Sequence, residues 1–293
     1  MALLFGFGLF HSLFYCGDIL IIFAVLGLIP WALWRLPSRF LFIISIFLLI
    51  SPLALYNDLM GQSGVLFEWY VQWCRLHELP SAPSAMSSTW LQMAEWNITV
   101  GTQHAWLYMI WSNRLGLVIG MFLLGAALGK SGALEAKPVT YAKWSCLFGA
   151  IYLLLMLLNQ TSLRLDWTDT MPLWVNVSFV LTFASLSAWL LRLPAIQSRI
   201  SQLCSMGRMS LSCYITQSII MTSLLASWGM GMLSKLNKTE LALCALTLYL
   251  VQLIFCSLWL RYFKFGPIEG LWRYLTQLRS PCKISSDSKN NSK

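Results

Sequence analysis

Residues 2–34 read ALLFGFGLFHSLFYCGDILIIFAVLGLIPWALW, an apolar run broken only at Cys16-Gly17-Asp18. As one helix it would be about 50 Å long at ~1.5 Å per residue, against a bilayer hydrocarbon core of about 30 Å. The run must fold back. Flexible Gly17, beside a charge that prefers the interface, marks the expected tight turn. The rest of the chain repeats the theme, since 58% of its 293 residues are hydrophobic and 11% are charged. That balance describes a chain whose solvent is mostly lipid. Hydropathy gives about eight candidate spans: 2–16, 18–34, 39–56, 106–129, 141–158, 172–191, 207–228 and 239–261. The expected fold is all-α, a polytopic transmembrane helix bundle forming a single domain over 1–279. The start has no basic region, and bulky Phe14-Tyr15 precedes Cys16, so residues 2–16 read as a retained helix and not as a cleaved signal.

Orientation follows from the basic residues. If Arg35 and Arg39 face the cytoplasm, so do 15 of the 20 Lys and Arg, leaving Arg75, Arg114, Arg164, Lys235 and Lys238 towards the outer side. The positive-inside rule then puts both termini in the cytoplasm, with segments 57–105 and 159–171 facing outward. In this topology the net charge of +9 reflects basic loops meeting an anionic leaflet, and no nucleic-acid partner is expected.

Segment 57–105 is the largest region outside the spans. Val65, Leu66, Trp69, Trp73 and Leu76 share a helical face, Ser81–Ser88 reads as a linker, and Trp90, Trp96 and Trp106 suit the headgroup layer. An outer cap without its own core is expected. Pro267 suits the first helical position, and Ile268, Leu271, Trp272, Leu275 and Leu278 follow at helical spacing. An interfacial amphipathic helix is therefore expected over 267–279, on the cytoplasmic side. The polar tail 280–293 reads as disordered.

Polar residues at membrane depth carry whatever chemistry there is, because burying them in lipid is costly. His11 and Asp18 could open into one outward-facing cavity, His11 as base and Asp18 as its orienter. Alternatively, Asp18 caps the following helix and His11 bonds across helices. The uncharged stretch Leu115–Gly129 is too short to span, so its helix is expected to run outward through Arg114 to the Trp106/Tyr108/Trp111 belt. Arg114 would then either snorkel or bind an anionic group. Gly116, Gly120, Gly125 and Gly129 give GxxxG spacing twice on that helix, which implies close packing. Gln217 shares a face with Ser210 and Tyr214, and Gln252 is a candidate partner for it. Arg208 could meet a phosphate or lipid headgroup. Glu269 and Arg273 are spaced as a local ion pair.

No phosphate-binding loop, GxSxG or HExxH is present, and eight scattered Cys lack metal spacing, so neither a metal nor a cofactor is expected. Cys16 and Cys74 are the two near the outer face.

Two stretches resemble a known family. Gly207-Arg208-Met209-Ser210-Leu211-Ser212-Cys213-Tyr214-Ile215-Thr216-Gln217-Ser218 and Trp259-Leu260-Arg261-Tyr262-Phe263-Lys264-Phe265-Gly266-Pro267-Ile268-Glu269-Gly270-Leu271-Trp272-Arg273 look like the C-terminal signature of the YeiB-like bacterial membrane proteins, domain of unknown function 418. Gly17-Asp18-Ile19-Leu20, with His11 upstream, and Leu124–Leu128 also fit. The chain departs from the pattern at Cys16, Cys213 and Gly270. It is similar to a member shortened at its N-terminus, which implies that residues 2–34 lie at an exposed edge with His11 poorly partnered. The resemblance implies a bacterial inner-membrane protein with no established activity, to which two functional ideas attach. One is acyl transfer from an acyl donor to an outer-face acceptor, whether small molecule, lipid or glycan, for which the candidate catalytic residues are His11 and Asp18 and the candidate binding residues Arg114, Arg208 and Gln217; the other is transport of a small solute. The remaining alternative is a non-catalytic, defective remnant.

Overall fold

The computed structural model describes residues 1–62, 64–77, 88–160, 170–197 and 201–278, and these are helical with no strand among them. The expectations for Arg164, for residues 81–87 of the Ser81–Ser88 linker and for the 280–293 tail fall outside the described residues. The chain divides into two compact units, 1–199 with 222–234, and 200–221 with 235–293.

In the first unit the chain turns between α1 (Ala2–Ser12) and α2 (Leu20–Leu26), with α3 (Leu28–Ala32) following, and α1 packs on α2. Gly8 permits this approach, because a Cβ there would lie 2.8 Å from both Asp18 Oδ2 and Ile21 N. α4 (Ser38–Leu49) and α5 (Pro52–Leu59) are joined at Ser51, which has a left-handed φ of 53°. At that joint Trp174 Nε1 donates to the Ile50 carbonyl at 3.0 Å.

α6 (Val65–Leu76) is followed by α7 (Trp90–Trp96), a π-helical turn (Asn97–Gly101) and α8 (Thr102–Trp111). α9 (Arg114–Lys130) packs on α4 through buried Leu41, Leu123 and Ala127. The GxxxG expectation divides here. A Cβ at Gly120 would meet Leu48 at 3.1 Å and the Ser45 carbonyl at 3.2 Å, whereas Gly125 and Gly129 have no neighbour within 4 Å.

α10 (Pro138–Gln160) and α11 (Thr170–Leu190) pack as a pair. The N-terminus of α11 is held by Asp58, whose Oδ2 accepts from Thr170 N at 2.8 Å, the favoured place for a carboxylate on a helix. Leu147, Leu153, Leu157, Phe179 and Phe183 stay exposed on this pair, as lipid-facing side chains are. A short α12 (Pro194–Gln197) follows.

In the second unit, α13 (Ser201–Arg208), α14 (Ser210–Leu225, its last turn counted with the first unit), α15 (Lys238–Tyr262) and α16 (Pro267–Leu278) surround buried Met209, Cys213 and Cys256. α15 starts with a capping box: Asn237 accepts from Glu240 N at 2.9 Å and Glu240 from Asn237 N at 2.8 Å.

The eight expected spans meet a length test. Among the described residues, four stretches are long and apolar enough to cross a membrane: Ser38–Leu59, Pro138–Asn159, Thr170–Leu190 and Lys238–Tyr262. A fifth counts if the bent pair Trp90–Trp111 and Arg114–Lys130 forms one span. Ala2–Ser12, Leu20–Ala32 and Ser210–Leu225 are apolar but shorter. An 11-residue helix such as α1 reaches about 16 Å at ~1.5 Å per residue, half of a ~30 Å core.

Three expectations need correction. The helix through Arg114 to the aromatic belt is broken at Ser112-Asn113, where Asn113 is left-handed (φ 58°) and the two pieces bend by 80°. Asn tolerates that conformation better than most residues with a Cβ. His11 is not poorly partnered, being fully buried and bonded to Asp18. Gln252 does not partner Gln217: its Nε2 donates to the Cys213 carbonyl at 3.1 Å and to Thr216 Oγ1 at 3.2 Å, while Gln217 is exposed.

Candidate functional site

A cavity of about 560 Å³ opens in the first unit, in the crook of the bent α8–α9 pair. The loop before α2 supplies Cys16, Gly17 and Asp18 to its wall, α6 supplies Tyr70, α8 supplies His104 and Tyr108, and α9 supplies Arg114. Most of the remaining wall is apolar, including Ile22, Phe23, Leu117 and Leu173. A largely apolar chamber with a few converging polar groups is the usual form of a small-molecule site.

Asp18 is 5% exposed, and both of its oxygens are engaged. His11 Nδ1–H donates to Oδ1 at 2.8 Å, and Ile21 N–H donates to Oδ2 at 2.7 Å. A carboxylate only accepts, which fixes the proton on Nδ1. Asp18 therefore caps α2 and pairs with His11 at once, so the two sequence readings are compatible. Their order is inverted, however. Asp18 lines the cavity, whereas His11 is fully buried behind it and is not part of the wall. In this geometry His11 supports Asp18.

Arg114 opens α9 at the bend, and its guanidinium lies over the Tyr108 ring, 5.3 Å from the centroid. A cation held on an aromatic face at the start of a helix is well placed to receive an anionic group.

His104, with Tyr70 beside it, is a cavity residue that sequence reasoning missed. Its Nδ1 lies 2.9 Å from Tyr70 Oη, and its ring stacks on Trp96 with centroids 6.0 Å apart and an interplanar angle of 25°. Burial, together with neighbouring Cys74, pushes the Tyr70 phenol above its ordinary value, so Tyr70 stays neutral. The π-helical turn at Asn97–Gly101 shifts the helical register just ahead of His104. A side chain at Gly101 would crowd its neighbours, since a Cβ would lie 3.0 Å from Trp96 and 3.1 Å from Cys16.

Arg208 and Gln217 belong to the second unit and are not among the residues lining the cavity. Arg208 Nη2 donates to the Lys264 carbonyl at 2.9 Å. Glu269 does not pair with Arg273. Its Oε1 accepts from Leu211 N at 2.8 Å and Ser212 N at 3.0 Å, capping α14, while Ser212 Oγ accepts from Ile268 N at 3.1 Å at the start of α16. Arg273 instead lies over the Phe265 ring, 4.2 Å from its centroid. Gly266 makes the interlock possible, because a Cβ there would overlap Glu269 and lie 3.0 Å from Met209. Among the described residues, no group of three or more His, Cys, Asp or Glu could hold a metal ion.

Comparison with known proteins bears on this geometry. The chain is 27% identical to the uncharacterized protein YeiB of Escherichia coli (strain K12) over 313 residues, covering 99% of the chain and 77% of that protein. It is 36% identical over 97 residues to an uncharacterized 39.9 kDa protein in the amylase 3' region of Bacillus acidopullulyticus, covering 33% of the chain and 28% of that relative. It is 29% identical over 159 residues to the uncharacterized protein YxaH of Bacillus subtilis (strain 168), covering 54% of the chain and 39% of YxaH. No solved structure matches. The model of the family described as "Protein of unknown function (DUF418)" matches residues 128–279, a stretch that contains the whole Glu269–Ser212 interlock. With both YeiB-like stretches inside that match and the alignment to YeiB running along nearly all of its length, the chain belongs to the DUF418 family and is a YeiB-like member of it.

Proposed function

We propose that the cavity of the first unit is the reaction chamber of a membrane acyltransferase, moving an acyl group from an acyl thioester to a hydroxyl-bearing acceptor at the outer face of the bacterial inner membrane. The observation that carries this reading is the convergence of Asp18, His104 and Arg114 on one largely apolar cavity. An acyl chain suits the apolar wall, and an anionic part of a substrate suits Arg114. Asp18, stiffened by His11 and Ile21 N, offers a fixed acceptor for a hydroxyl of the bound molecule.

The test is transfer of label from a radiolabelled acyl-coenzyme A in membranes carrying the protein, with lipid and glycan fractions separated. Wild type should label one fraction, and Asp18→Ala should lose at least about 100-fold of that rate. Equal labelling with and without the protein would end the reading. A second reading, transport of a small solute, draws on the bent α8–α9 pair, since interrupted helices around a cavity are typical of transporters. Solute uptake lost in Asp18→Ala without any acyl transfer would favour it.

A further inference from the structure

We infer that the His104–Tyr70 pair, and not His11–Asp18, exchanges the proton at this cavity, with His104 the general base and Tyr70 its positioning residue. The reaction assigned to the pair rests on the acyl-transfer reading; the assignment of the proton to the pair does not.

Position separates the two histidines. A general base must reach the proton it takes, either directly or through one water. His11 is fully buried, with Nδ1 committed to Asp18 and the carboxylate standing between it and the cavity. His104 is half-buried and forms part of the wall.

Tyr70 meets the ring at Nδ1, 2.9 Å from its hydroxyl. A neutral phenol can accept from Nδ1–H, and in that tautomer Nε2 carries the lone pair that works on a bound molecule. The Trp96 stack holds the ring plane. In transfer, Nε2 takes the proton of the acceptor hydroxyl as its oxygen forms the new bond to the acyl carbonyl carbon. The carbon–sulfur bond of the thioester then breaks, and the imidazolium returns the proton to the departing thiolate. Titratable and charged neighbours that set the pH response are Cys16, Asp18, Cys74, Tyr108 and Arg114, besides Tyr70 itself.

The chain has three histidines, so diethyl pyrocarbonate, which modifies neutral imidazole, can be mapped at each by mass spectrometry on the full-length protein in nanodiscs. His104 and exposed His77 should react, and His11 should not. The pH midpoint of His104 modification should move in Tyr70→Phe while that of His77 stays. In the transfer assay His104→Ala should cost at least about 100-fold in kcat, and Tyr70→Phe about 10-fold at unchanged KM. Unreactive His104, a midpoint indifferent to Tyr70→Phe, or full transfer by His104→Ala would overturn the inference. Absence of acyl transfer from wild type would remove the reaction alone, because the modification pattern still decides which histidine exchanges a proton.

Discussion

The cavity of the first unit and the α14–α16 interlock of the second use polar groups in opposite ways. In the interlock the groups are consumed by each other. Glu269 satisfies the orphan N–H groups opening α14, and Ser212 takes the one opening α16. In the cavity, Asp18, His104 and Arg114 line open space instead. The two stretches that carry the family resemblance are those that form the interlock, and the family match at 128–279 leaves Asp18, Tyr70, His104 and Arg114 outside it. The most recognisable sequence thus marks how the second unit is held together, while the candidate chemistry lies elsewhere. A signature of this kind identifies a fold before it identifies an activity.

This contrast can be broken or sharpened by substitution. The largest effect is expected for Gly266→Ala, which drives a methyl into Glu269 and Met209 and should cost about 3 kcal/mol or more through overpacking and loss of the cap. A thermal melt in detergent would read it as a large fall in midpoint, with His104 modification at its wild-type rate in the folded protein. Glu269→Ala should follow at about 2–3 kcal/mol, because two backbone N–H groups lose a charged acceptor. If that variant melted like wild type, the interlock would be incidental. Gly8→Ala should cost about 1–3 kcal/mol and, by pushing α1 from Asp18, should also lower acyl transfer. Stability lost without any change in transfer would separate the turn from the site. The smallest effect is expected for Gly125→Ala, which meets open space and should lie between neutral and about 1 kcal/mol stabilising, since alanine favours a helix.

Apolar runs made the helical, membrane-like character of the chain legible, and Gly17-Asp18 made the first turn legible, because both signals are local. What failed was pairing across the sequence. Glu269 has Arg273 at ideal helical spacing, yet its partners lie 57 and 58 residues upstream and offer fixed N–H groups in place of a mobile side chain. His104 pairs with Tyr70 across 34 residues, and nothing in its own helix distinguishes it from a polar surface residue. The break at Ser112-Asn113 did have a signal, two small polar residues inside an apolar stretch with an Asn suited to the left-handed region. The length of a ~30 Å core outweighs that signal, because one straight helix would fill it and the two bent pieces do not run straight.

The distance between Leu211 and Glu269 also sets a schedule. At about 5–20 residues per second on the ribosome, the carboxylate is made roughly 3 to 12 seconds after the N–H groups it serves. For that interval the first turn of α14 lacks the acceptor that closes it, and α15 must be synthesised before that acceptor exists. The second unit is therefore completed from its C-terminal end, and a ribosome that stalls between these two points leaves a newly made helix waiting for its lock.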